Sequence, residues 1–232
     1  MGIGNRLRLM ADLIIKGAPV ADIGADHGQL ALYILEKNWA PAVIVTELGA
    51  KPGEKLLTRT AGSKRVSDLR IRLGDGLKVL SAQEVATVII AGLGGDTIVG
   101  ILKADIKKSR TFRRYILQPM SRLKTLRLWC AEQGWPLLEE RVAVDGGREF
   151  VIMVYEPGSQ KYALSALEAE MGPLLLQSSD SDTLVYKQKM LDKFRIIIDS
   201  LKNAVNNADD DKFHYYRELT RELENNVHAD NS

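Results

Sequence analysis

The chain has 232 residues, 45% of them hydrophobic and 27% charged, with a formal net charge of +2. This is the make-up of a soluble globular protein and excludes a disordered chain, and no run approaches the eighteen or so apolar residues that a membrane-spanning helix needs. One cysteine, Cys130, excludes an internal disulfide and a cysteine-built zinc site; its setting between Trp129 and Ala131 predicts a packed, inert thiol.

In chain order, apolar residues at Leu7, Met10, Leu13 and Ile14 predict a one-faced helix over Asn5 to Lys16, with Arg6, Arg8 and Lys16 off that face. The first residues lack the basic flank, apolar core and small-residue cleavage site of a secretory leader, so a cytoplasmic protein is expected. Pro19 to Leu32 then reads as a short buried strand, a glycine turn and a helix starting near His27. Gly24 and Gly28 permit close backbone approach there, and the free N–H groups of the helix point back at the turn, a natural seat for a nucleotide-like cofactor. Ala42 to Leu48 is a second, β-branched strand ending in Glu47, nineteen positions beyond Gly28 (47 minus 28), where such folds place an acid on ribose hydroxyls.

A helix over Pro52 to about Thr60 precedes a third strand, Leu69 to Leu73, and the turn Gly74 to Leu77. Val85 to Gly95, the most apolar run, is predicted to be the central strand, buried on both faces, with its glycines at the carboxyl end. A helix over Ile98 to Ile106, a strand over Arg113 to Pro119 and a helix over Arg122 to Gln133 closed by Gly134 follow. Asp145-Gly146-Gly147 then signals an antiparallel hairpin. The reading is an α/β fold, a Rossmann-like doubly wound sheet with an antiparallel edge hairpin, in the outline of a class I methyltransferase. Residues 1–158 form the catalytic domain. Residues 159–232 are expected to form a coiled-coil-like helical hairpin, because Leu184, Leu191, Phe194, Ile198, Leu201 and Val205 recur at steps of three and four, with one step of seven across Lys187, the one polar heptad position, and Tyr216, Leu219, Leu223 and Val227 mark a second helix.

The first loop separates two cofactors. A dinucleotide needs a second glycine where its pyrophosphate meets backbone, and Asp26 stands there; a carboxylate repels a pyrophosphate and attracts a sulfonium or ammonium. Asp22, Glu47 and Asp75 place three acids at three successive strand ends, suited to the methionine part, the ribose and the adenine amino group of S-adenosyl-L-methionine.

Asp22 to His27 (DIGADH), Gly74 to Leu77 (GDGL), Ile90 to Gly95 (IAGLGG), Ile116 to Pro119 (ILQP), the GREFVIMVYEPG stretch and Gly172 to Leu175 (GPLL) together resemble the bacterial tRNA (adenine(22)-N1)-methyltransferase family, TrmK, over nearly the whole chain. The resemblance implies an S-adenosyl-L-methionine-dependent enzyme that methylates N1 of an adenine in the tRNA D-loop. It implies a cofactor site at Asp22, Gly24, Asp26, His27, Gly28, Glu47, Leu48, Asp75, Gly76, Ala91, Gly92 and Leu93, a catalytic role for Asp26, and substrate contacts at Arg6, His27, Gln118 and Pro119, with no metal. The chain departs from the family's usual pattern at Gly28-Gln29-Leu30-Ala31 and at Met120.

The chemistry suits these residues. N1 of adenine carries an in-plane lone pair, so positioning and electrostatics suffice without a strong base. N1 lies on the pairing edge, so the adenine must be unpaired or extruded to reach the cofactor. A net charge of +2 does not announce tRNA, and the local candidates are Arg6, Arg8 and Lys16, then Arg110, Arg113 and Arg114, then Arg122, Lys124 and Arg127, with Lys187, Lys189, Lys193 and Arg195 on the hairpin. A small-molecule methyltransferase and a non-catalytic S-adenosyl-L-methionine-dependent RNA-binding module remain the competing classes, and the sequence leaves the oligomeric state open.

Overall fold

Seven strands build one sheet: β1 (Val20–Ile23), β2 (Val43–Glu47), β3 (Leu69–Leu73), β4 (Thr87–Gly94), β5 (Arg114–Ser121), β6 (Leu137–Asp145) and β7 (Arg148–Tyr155). Their spatial order is β3-β2-β1-β4-β5-β7-β6. The computed structural model describes residues 2–25, 28–47, 65–202 and 208–230; the helix predicted over Pro52 to Thr60, and Val205, lie outside them. The chain divides into two units, Met1–Tyr162 and Ala163–Ser232, against an expected boundary after residue 158.

Strands β1 to β5 run parallel and β7 runs against both β5 and β6. The reversed strand is therefore the sixth in the sheet, and β6 is the edge. Asp145 pairs with Arg148 across a two-residue turn in which Gly146 (φ 58°) and Gly147 (φ 76°) are both left-handed, the geometry that matches strand twist. Strand order reverses between β1 and β4, which opens a crevice at their carboxyl ends. β4 is central as expected. Thr87 to Ile90 are fully buried, whereas Ala91 to Gly94 open outward, and the register to β5 slips around Gly92.

Helices α1 (Asn5–Asp12) and α2 (Gln29–Glu36) cover one face of the sheet, burying Met10, Ala11, Leu30 and Ile34 against Val20, Ile89 and Ile116. α1 stops four residues short of the predicted Lys16. The N–H of Ile15 donates to the Thr87 hydroxyl at 3.0 Å, which ties the chain to the start of β4 instead of a further helical turn. Helices α3 (Gly95–Ala104), α4 (Ile106–Ser109) and α5 (Leu123–Gln133) follow β4 and β5. α3 starts three residues earlier than expected, at a glycine whose added Cβ would lie 2.3 Å from the Arg122 carbonyl oxygen. Gly134 closes α5 at φ 72°, and a Cβ there would lie 2.5 Å from the Ser159 backbone. Cys130 is fully buried, and burial pushes its thiol well above the usual range.

The second unit holds α6 (Ala166–Met171), α7 (Pro173–Leu176), α8 (Ser181–Lys202) and α9 (Ala208–Asp230). Ser165 and Glu168 make a reciprocal capping box at the start of α6. Leu167, Met171, Leu191, Phe194, Leu219 and Leu223 form its core. Lys187 corrects one expectation: it is fully buried, and its Nζ donates to the Leu176 carbonyl at 3.0 Å, at the C-terminal end of α7, so it presents no charge to a nucleic acid. Arg195 is paired to Glu224 at 2.7 Å, while Lys189 and Lys193 are exposed.

Candidate active site

The crevice outside β1 and β4 is a cleft of about 400 Å3. β1 contributes Asp22, with Gly24 and Ala25 just beyond it; β4 contributes Ala91, Gly92 and Leu93; α1 adds Arg6, Leu7 and Met10; and the start of α2 adds Gly28, Gln29 and Leu30. Seven predicted site residues, Arg6, Asp22, Gly24, Gly28, Ala91, Gly92 and Leu93, are thus brought together. Gly24 (φ 71°) and Gly92 (φ 77°) hold left-handed backbone angles, and a Cβ on either would meet nothing within 4 Å. Their requirement is conformational, and it leaves the cleft wall bare.

Asp22 sets the electrostatics. It is only 5% exposed, and burial, followed by the neighbouring Glu47 carboxylate, pushes its carboxyl up to about 7, with Arg6 opposing. Glu47, the last residue of β2, is also buried. Asp22 lines the cleft and Glu47, its charged neighbour, does not; a buried acid of this kind favours a cation in the cleft.

Arg6 is fixed from three sides. Its guanidinium donates to Gln118 Oε1 at 2.8 Å and lies 4.9 Å over the Phe150 ring, and its backbone N–H donates to Asp145 Oδ2 at 3.2 Å. Asp145 thereby caps α1, whose own capping position is occupied by Gly4; a Cβ on Gly4 would collide with that carboxylate oxygen. Gln118 is fully buried. Its Oε1 also accepts from the Gly92 N–H at 3.2 Å, and its Nε2 donates to the Pro119 carbonyl at 3.1 Å. The side chain joins α1 to the end of β4 from behind the cleft wall, and Pro119 is buried beside it.

Asp75 and Gly76 line a separate depression of about 280 Å3 with Thr97, Gly100 and Ile101, and Asp75 pairs with Lys78 at 2.6 Å. Asp26, His27 and Leu48 lie outside the described residues. Leu7, Met10, Ala25, Gln29 and Leu30 are lining residues that sequence reasoning missed. Periodicity marked Leu7 and Met10 as one helix face, but nothing in a repeat of apolar residues says that this core-facing stripe also borders a cleft.

Part of the predicted basic rim is engaged in the fold. Arg127 is fully buried in an ion pair with Glu140 at 2.8 Å. Arg114 pairs with Glu156 at 3.0 Å, Arg110 donates to the carbonyls of Gly158 and Gln133, and Arg122 faces Asp96 at 3.7 Å. Among the described residues no cluster of three or more His, Cys, Asp or Glu is placed to hold a metal, and no helix is long and apolar enough to cross a membrane.

Comparisons with known proteins bear on the sequence and the fold. A family profile described as a methyltransferase domain matches residues 3–153. The tRNA (adenine(22)-N(1))-methyltransferase of Bacillus subtilis (strain 168) is 31% identical over 173 residues, covering 75% of this chain and 73% of that protein. The crystal structure of the B. subtilis M1A22 tRNA methyltransferase TrmK superposes with a TM-score of 0.85 at 27% identity, over 97% of this chain and 99% of that one. Streptococcus pneumoniae Sp1610, solved in complex with S-adenosyl-L-methionine, superposes with a TM-score of 0.81 at 26% identity, over 94% of this chain and 100% of that one.

Proposed function

The chain belongs to the tRNA (adenine(22)-N(1))-methyltransferase family, and from that premise we infer that it transfers a methyl group from S-adenosyl-L-methionine to N1 of the adenine at position 22 of tRNA. The observation that carries this reading is the acid at the base of the cleft. A buried carboxyl raised to about 7, beside a second buried acid, is poised to ionise fully when a positive charge arrives. The cleft volume lies within the range of small-molecule sites.

S-adenosyl-L-methionine, when bound, supplies an electrophilic methyl group on a cationic sulfur. Asp22 and Glu47 provide the negative field that favours that cation, with Glu47 assigned to the ribose side. Gly24 and Gly92 keep the wall clear for close approach, and Ala91, Leu93 and Gly28 complete it. Asp75 and Gly76 are assigned to the adenine end, and Asp26, His27 and Leu48 to the cofactor contacts that the family resemblance gives them.

The target nitrogen needs no deprotonation, so no residue has to remove a proton before transfer. What the chain supplies is alignment and charge. Asp26 is assigned the stabilisation of the cationic methylated base, and Arg6, steered by Gln118, the entry of the target nucleotide. His27 and Pro119 are assigned to the same side. Incubation of the protein with methyl-labelled S-adenosyl-L-methionine and unmodified tRNA, followed by nucleoside analysis, tests the reading. 1-Methyladenosine is the expected product; label in small metabolites and none in tRNA would refute it.

A further inference from the structure

A second cavity, of about 460 Å3, lies beside the cleft and is lined by Gly2, Ile3, Arg8, Tyr33, Glu36 and Lys37. It is built by the same two helices. α1 gives Arg6 and Leu7 to the cleft and Arg8 to this cavity; α2 gives Gln29 and Leu30 to the cleft and Tyr33, Glu36 and Lys37 to the cavity, roughly 6–12 Å further along its axis.

Its side chains form a series of cations and aromatic rings. Lys37 Nζ lies 5.6 Å over the Tyr33 ring, Tyr33 meets Trp39 edge-on at 5.7 Å, and Lys16 Nζ lies 4.0 Å over Trp39. Arg8, Lys16 and Lys37 are exposed, and among the described residues none is in ion-pair contact with a carboxylate, in contrast to Arg110, Arg114 and Arg127, whose guanidinium groups are held by protein partners. Unneutralised cations around a half-buried ring are the two elements of single-stranded nucleic-acid recognition, a stacking platform and a phosphate contact.

We propose that this cavity is a second nucleotide site, which takes an unpaired tRNA nucleotide near the target adenine, stacking its base on Tyr33 and holding its phosphates with Arg8 and Lys37. A base entering on the Tyr33 face displaces the flexible Lys37 side chain, whose ammonium then meets the phosphate. The site gives the enzyme a grip on the extruded loop outside the reaction cleft. The proposal rests on tRNA being the substrate.

The test uses the full-length protein, with R8E/K37E, Y33A and Y33F, in tRNA methylation assays that resolve kcat from the KM for each substrate. R8E/K37E is expected to raise the KM for tRNA at least tenfold, leave the KM for S-adenosyl-L-methionine within twofold, and flatten the slope of log KM against log salt by about 1.4 or more, from two lost single-strand contacts. Y33A should raise the tRNA KM several-fold while Y33F stays near wild type. An unchanged tRNA KM and salt slope in R8E/K37E, with cofactor binding intact, would overturn the proposal whether or not Y33A folds. Binding of AMP lost in R8E/K37E at an unchanged tRNA KM would assign the cavity to a free nucleotide and overturn it equally. Wild-type protein that transfers no methyl group to tRNA would refute the functional reading itself, a result separable from the variant comparison.

Discussion

Replacing Asp22 with Asn tests the electrostatic design of the cleft. In the folded protein the carboxyl titrates at about 7, against 3.8 as its ordinary value, because burial and Glu47 disfavour its charge. Between these values the folded state holds a proton that the unfolded state has released, so the stability of the ligand-free protein falls as pH rises from about 4 to about 7. About three pH units at roughly 1.4 kcal/mol each give a loss on the order of 4 kcal/mol. Asn does not titrate and lacks this loss. Urea unfolding of both proteins at pH 5, 6, 7 and 8 should show the Asp22→Asn stability gaining on wild type by more than 1 kcal/mol per unit below pH 7 and levelling above it. The ionised carboxylate is also the form that favours a cationic ligand, so wild-type affinity for S-adenosyl-L-methionine should rise between pH 6 and pH 8, and the Asn variant should bind weakly with a smaller rise. Parallel stability curves for the two proteins would show that Asp22 is already ionised against Arg6 without ligand, and would refute the reasoning.

Gln118→Ala removes the acceptor for both Arg6 and the Gly92 N–H; an unsatisfied buried donor costs about 1–3 kcal/mol, and thermal unfolding together with a methylation rate reduced about tenfold or more should register it. Asp26→Ala should slow transfer by roughly 30- to 1,000-fold in single-turnover assays, the equivalent of about 2–4 kcal/mol of transition-state stabilisation, with a smaller change in cofactor affinity. Gly134→Ala forces a side chain into a left-handed position 2.5 Å from the Ser159 backbone and should cost about 2–4 kcal/mol in urea unfolding. Lys187→Met should alter the stability of the helical hairpin while leaving the salt slope of tRNA binding unchanged, because the buried ammonium meets no phosphate.

The sheet was legible because each strand announces itself locally. Val20 to Ile23, Val43 to Glu47 and Leu69 to Leu73 are short apolar or β-branched runs closed by glycine or acid, and Asp145-Gly146-Gly147 can hardly be anything but a hairpin turn. The acids and glycines of the cleft were legible for the same reason, since the ends of parallel strands converge on one edge. The side chains that come from elsewhere were hidden. Nothing near Arg127 in sequence shows that Glu140 will bury it, and Lys187 reads as a heptad exception until the Leu176 carbonyl is placed against it. Gln118 sits within a recognisable motif, yet its partners are 112 and 26 residues away, a tertiary fact that no local pattern encodes. Helix α1 ends early for a similar reason, the distant hydroxyl of Thr87.

The most direct measurement of the central claim is methyl transfer to two unmodified transcripts of one tRNA, identical except that the second carries guanine in place of adenine at position 22. 1-Methyladenosine is expected in the first transcript, mapped to that position, and none in the second. Equal methylation of both, or a methyl group on another atom of the first, would contradict it.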